Sequence, residues 1–120
     1  MKGDSTAKAL AGIRVMEFAV FAAGPLVGKH LAEHGAEVIR VESRQSLDGF
    51  RVHYPPFKDN RPGIERGGSY ALFNDQVLNV TLDLKNPKAV LLAHQLISRS
   101  APAIKVNPDG AQLNAGLDRS

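Results

Sequence analysis

Several groups in this sequence have the types and spacing to do chemistry. His30-Leu31-Ala32-Glu33-His34 sets two imidazoles four residues apart around a carboxylate, the pattern by which one helix face holds zinc beside a general base. Gly35 ends the helix directly after His34 and no third ligand is evident, which favours partly buried or surface histidines over a metal site. Glu42 ends a candidate strand roughly twenty positions after Gly24, where dinucleotide-binding folds place an acid on a ribose hydroxyl. Those folds want Gly-x-Gly-x-x-Gly, and only Gly24 precedes the helix here, so an NAD-type site is disfavoured against a solvated strand end. Ala22-Ala23-Gly24-Pro25 offers small side chains and a helix start, a place where backbone approaches an anion; a tight turn without a ligand fits the same residues. Arg44, Arg51, Lys58, Arg61 and Arg66 share one segment and can contact phosphates, but Asp48, Asp59 and Glu65 among them make plain solvation of a long loop the favoured reading of these residues. Asp75, Asp83 and Asp109 read as caps or turn residues. No Ser-His-Asp set or carboxylate pair follows from spacing, and the absence of cysteine excludes thiolate nucleophiles, disulfides and cysteine zinc sites.

These residues need elements to hold them. Ile13 to Phe18 alternates apolar and polar residues and suits a strand. Pro25 fits the first position of a helix whose apolar stripe includes Leu26, Val27 and Leu31 and which Gly35 closes. Glu37 to Glu42 is a second strand. The stretch 43–68 is broken by Gly49, Pro55-Pro56, Pro62-Gly63 and Gly67-Gly68 and reads as a long functional or mobile loop. Ser69 to Asn74 is a short apolar element, and Leu78 to Leu84 alternates as a strand. Asn86-Pro87 opens a helix striped by Val90, Leu91, Leu92, Leu96 and Ile97. Ala103 to Val106 is a candidate fourth strand, with residues 1–10 a loose tail and 108–120 a frayed end. Strands alternating with helices imply an α/β fold with a parallel sheet of three to four strands, and ligands of such sheets sit at the carboxyl ends of the strands.

Composition narrows the classes. The net charge is +3, from 15 Lys and Arg against 12 Asp and Glu, and it is spread along the chain rather than gathered in a run. With aromatics at 6%, a nucleic-acid stripe is disfavoured, and a small phosphorylated ligand fits the balance. The first residues form no secretory signal, and the most apolar window, Phe18 to Gly28, is too short to span a bilayer, so a cytoplasmic protein is expected.

Three blocks together resemble the class III CoA-transferases, a family that includes formyl-CoA and carnitine CoA-transferases and α-methylacyl-CoA racemases. They are Leu10-Ala11-Gly12-Ile13-Arg14-Val15 with Ala23-Gly24-Pro25, then Leu31 through Glu42, then Val80-Thr81-Leu82-Asp83-Leu84-Lys85. They come in the family's order and at about its spacing. The resemblance implies a Rossmann-like domain over residues 11–107, coenzyme A or acyl-CoA as substrate without a metal, and a carboxylate acceptor. It also implies an intertwined dimer and transfer through an acyl-aspartyl anhydride.

By position, the resemblance puts Ala22, Ala23, Ser43, Arg44 and Arg51 near CoA. Asn74, Asp75 and Gln76 fall on an Asn-x-Asn segment, and Asn107 on the Asn of a later turn. Val77 and Leu78 stand where the family usually has Lys-Arg, and Pro108 where it has Phe. Each lost charge-assisted hydrogen bond is worth roughly 1.5–3 kcal/mol, so weakened CoA affinity is expected. The family's nucleophilic Asp lies beyond the equivalent of Asn107. The chain alone is therefore expected not to catalyse, as the CoA-binding part of a transferase. The alternative is a non-catalytic remnant or interaction module that forms a homodimer or pairs with a longer homologue.

Overall fold

The computed structural model describes residues 7–100. The candidate strand at 103–106, Asn107, the 108–120 end and most of the N-terminal tail lie outside the described residues. Three parallel strands, β1 (Arg14–Glu17), β2 (Glu37–Glu42) and β3 (Leu78–Thr81), form one sheet in the order β1-β2-β3. Glu17 pairs with Arg40, and Glu42 with Thr81. Four α-helices surround the sheet: α1 (Ala23–Glu33), α2 (Gly49–Val52), α3 (Gly68–Phe73) and α4 (Pro87–Ser98). The α/β reading with a three-stranded parallel sheet is what the described residues form.

Alternation along each strand sends neighbouring side chains to opposite faces. Val15 and Val38 pack with Ala32 of α1 and with Ala36, and Ile13 and Leu31 lie at the margin. Met16, Phe18 and Val41 pack on the other face against Ala93 of α4, with Leu96 and Ile97 beside it. A strand buried on both faces has few positions for charge, which makes the two exceptions on this sheet, Glu17 and Arg40, informative.

Local chemistry sets the boundaries. The α1 helix begins at Ala23 with Ala22 as its cap, two residues before the Pro25 start that the sequence suggests. Proline still fits there, because the first-turn N–H groups have no helical partner. Gly35 ends α1 at φ +106°, and a Cβ there would lie 2.6 Å from Lys8 Cβ, so only glycine suits both the conformation and the approach. The Asn86 side chain caps α4 by accepting from Lys88 N at 2.9 Å. The 43–68 segment contains α2 and a 3₁₀ turn at Lys58–Asn60, too short to leave a periodic signature. The β3 ladder ends at Thr81, although Leu82 N still donates to Glu42 O at 2.9 Å.

Candidate functional site

The carboxyl ends of all three strands open into one cleft of about 310 Å³. Ala19 and Val20 border it after β1, Ser43 after β2, and Asp83 and Lys85 after β3, with Arg40 in its floor. A second hollow, of about 550 Å³, shares Glu42 and Ser43 with the first and is bounded by Arg44, Arg51, Ile64 and Glu65.

A buried charged network holds the floor. Arg40 has 0% of its surface exposed. Its Nη2 donates to Asp48 Oδ2 and its Nη1 to Asn74 Oδ1. Its Nε stands 3.8 Å from Glu17 Oε1. Asp48 also accepts from Phe21 N at 3.0 Å and from Phe50 N at 2.9 Å, the second bond capping α2. One carboxylate thus ties the turn after β1, where Phe21 takes φ +61°, to the start of α2. Arg51 grips Glu42 with both ends of its fork, Nε to Oε1 at 3.1 Å and Nη2 to Oε2 at 2.8 Å. Its Nη1 reaches Ile64 O and Glu65 Oε1, each at 3.1 Å. Tyr70 donates to Glu42 Oε1 at 2.9 Å.

The environment of each carboxylate decides its charge. Burial pushes the Glu17 carboxyl up to about 7, against the attraction of Arg40 and with the repulsion of Asp48 and Glu42. Burial also pushes Glu42 up, but the Arg51 hydrogen bonds and the Arg40 charge outweigh it and hold that carboxyl below its ordinary value. Burial, with the Glu42 charge beside it, raises the Tyr70 hydroxyl to about 12, so it stays a donor.

The residues singled out from sequence fall in three places. Ser43 borders both hollows and Arg44 the second, where Arg44 is exposed; Ser43 Oγ accepts from Gln45 N at 3.2 Å. Arg51 and Asn74 are buried in the network, and every nitrogen of the Arg51 fork is engaged within the protein. Ala22 and Ala23 start α1, just beyond the cleft-lining Ala19 and Val20. Asp75 and Gln76 are exposed in the turn before β3, with Gln76 at φ +63°. Asn107 is outside the described residues. His34 Nδ1 lies 2.7 Å from His30 O, and His30 Nδ1 is 3.3 Å from Glu33. Among the described residues no cluster of three or more His, Asp or Glu is placed to hold a metal ion.

Sequence reasoning passed over Glu17, Arg40 and Tyr70, and took Asp48 only as a solvated loop acid. A signal for two of them was present. Glu17 and Arg40 occupy the strand face that Val15 and Val38 place in the core, and a charge at such a position needs a buried partner.

Comparison with known proteins places this architecture. The model of CoA-transferase family III matches residues 10–118. The chain is 36% identical over 110 residues to succinate–glutarate CoA-transferase of Agrobacterium fabrum, covering 91% of this chain and 28% of that protein. It is 28% identical over 116 residues to cinnamoyl-CoA:phenyllactate CoA-transferase of Clostridium sporogenes, covering 96% and 27%. The crystal structure of a CAIB/BAIF family protein from Brucella suis matches with a TM-score of 0.71 and 31% identity, over 82% of this chain and 26% of that one. The chain spans about a quarter of the length of the curated relatives it matches. On its matched blocks, its parallel sheet and its cleft at the strand ends, the chain belongs to CoA-transferase family III.

Proposed function

We propose that this chain is the CoA-seating part of a transferase that moves coenzyme A between an acyl-CoA and a carboxylate acceptor. The observation that carries the reading is the single cleft at the carboxyl ends of β1, β2 and β3. Small residues after β1 let a ligand approach the backbone, and Lys85 brings a cation to the rim. In this reading Ala22, Ala23, Ser43 and Arg44 approach the nucleotide from the rim. Asp75 and Gln76, in the turn before β3, extend the contact beyond the cleft. Arg51 and Asn74 act through Glu42 and Arg40, whose positions they fix. The fold is Rossmann-like in this use, with the nucleotide at the strand ends, and the setting is cytoplasmic. Two carboxylate substrates are implied by the names of the relatives, which are CoA-transferases acting on succinate and glutarate, or on cinnamoyl-CoA and phenyllactate.

Titration calorimetry of the full chain with CoA tests this reading, with NAD as competitor. CoA binding that NAD does not displace is the expected result. No heat with CoA, or displacement by NAD, would contradict it.

A second reading is an interaction module that pairs with another copy or with a longer homologue. Leu91 and Leu92 on α4 are at least half exposed, and β1 pairs only with β2 among the described residues. Exposed apolar side chains and an open strand edge favour association. Sedimentation showing a dimer in a chain that does not bind CoA would favour this alternative.

A further inference from the structure

Glu17 differs from the other charged groups beneath the cleft. Both its carboxyl oxygens are buried without a hydrogen-bond partner, and so is Arg40 Nε, 3.8 Å from Glu17 Oε1. Gly28 of α1 gives the carboxyl its room, because a Cβ there would collide with Glu17 Oε2. A carboxylate enclosed in this way is costly to charge. With Glu17 neutral, the guanidiniums of Arg40 and Arg51 face the carboxylates of Asp48 and Glu42, and the internal charges balance. With Glu17 ionised, a third carboxylate joins them, and Arg40 has a partner that competes with Asp48. That competition reaches the cleft through Asp48, which holds Phe21 N and Phe50 N.

We propose that Glu17 is a proton-responsive positioning residue for the cleft: its neutral form leaves Arg40 on Asp48 and the cleft receptive to an anionic ligand, and its ionised form draws Arg40 aside and places uncompensated negative charge under the ligand. The charged groups that act on it are Arg40 and Glu42 from β2 and Asp48 from the segment before α2. The α1 helix meets it with Gly28, which carries no charge. Burial brings the change into the neutral range, with the carboxyl raised to about 7. The ligand part of the proposal rests on the CoA reading, and the coupling of Glu17 to Asp48 does not.

The experiment is an NMR titration of the full chain from about pH 3 to about pH 9, following the Glu17 side-chain carbon and the Phe21 and Phe50 amides. The expected result is one shared midpoint near 7 for all three, with both amide titrations lost in Glu17→Gln. A Glu17 carbon that titrates near its ordinary 4.5 would overturn the proposal, and this reading needs no variant to fold. Amide titrations that survive in Glu17→Gln would also overturn it, since they would belong to a group other than Glu17. CoA affinity measured on the same samples should fall roughly three- to tenfold from about pH 6 to about pH 8, and stay flat in Glu17→Gln. A wild-type affinity that is flat with pH would overturn the link to the ligand. No CoA binding at any pH would sink the CoA reading, while the carbon and amide titrations still decide the coupling.

Discussion

The Arg51 guanidinium lies over the Tyr70 ring, 3.6 Å from its centroid, while both side chains hold the same Glu42 carboxylate. Stacking and forked hydrogen bonding act together here, and only a planar guanidinium supplies both. Arg51→Ala is expected to cost about 3–5 kcal/mol, because it leaves the part-buried Glu42 without its main counter-charge. Arg51→Lys should recover only part of that, since an ammonium cannot make the fork. Urea denaturation of the two variants checks the order, and equal stability of Lys and wild type would count against the stacked fork.

Asp48 joins the turn after β1 to the start of α2 by accepting from Phe21 N and Phe50 N. Asp48→Asn keeps an acceptor for one amide but removes the charge that Arg40 faces. Hydrogen exchange at Phe21 and Phe50 should then accelerate on the order of tenfold or more relative to the β2 amides, as the local opening free energy drops. Unchanged protection at both would show that the turn is held by other contacts.

Gly28 faces Glu17 across the α1–sheet interface, with a built Cβ colliding with Glu17 Oε2 and 3.3 Å from Val38 Cγ1. Gly28→Ala should destabilise by about 1–3 kcal/mol through overpacking. In a Glu17→Ala background the carboxylate clash is gone and only the tight Val38 contact remains, so the helix preference for alanine, about 1 kcal/mol, should bring the same change close to neutral or make it stabilising. A double-mutant cycle measures this directly, and a coupling near zero would mean that the two residues do not touch.

Glu17 and Glu42 give opposite pH dependences. The Glu17 carboxyl is raised from 4.5 to about 7, so its contribution is fully present below pH 4.5 and is lost as pH rises through about 7. Glu42 is lowered from 4.5, so its contribution is present above that pH and is lost as pH falls through its lowered value. Stability should therefore peak in mildly acidic solution and fall on the order of 2–3 kcal/mol toward pH 8. Glu17→Gln should flatten the neutral limb only. Thermal melts across pH check the shape, and a wild type that gains stability between pH 5 and 8 would contradict it.

Much of this fold was legible because its signals are local. The Glu37–Glu42 strand, Gly35 as the α1 terminator and the Asn86-Pro87 start of α4 follow from alternation, a left-handed cap and a capping pair, each carried by adjacent residues. The 43–68 stretch hid α2 because a four-residue helix has no periodicity to read, although the Asp48 cap before Gly49 was visible as a residue type. The cleft floor was harder. Glu17, Arg40, Tyr70 and the Asp48–Arg51 turn come from four separate places in the chain, and pairing across such separations is decided by strand register and helix packing. Arg51 illustrates the limit: its position suggested a phosphate contact, and only the three-dimensional structure shows its fork closed on Glu42.

In the proposed function, coenzyme A sits over the carboxyl ends of the three strands. Backbone NMR signals of the full chain, recorded with and without saturating CoA, test it most directly. The largest shifts should fall at Ala19, Val20, Ser43 and Lys85, which border the cleft, and Lys85→Glu should weaken binding about tenfold or more with little change in stability. Shifts confined to residues away from these strand ends, such as the outer face of α4, or none at saturating CoA, would contradict it.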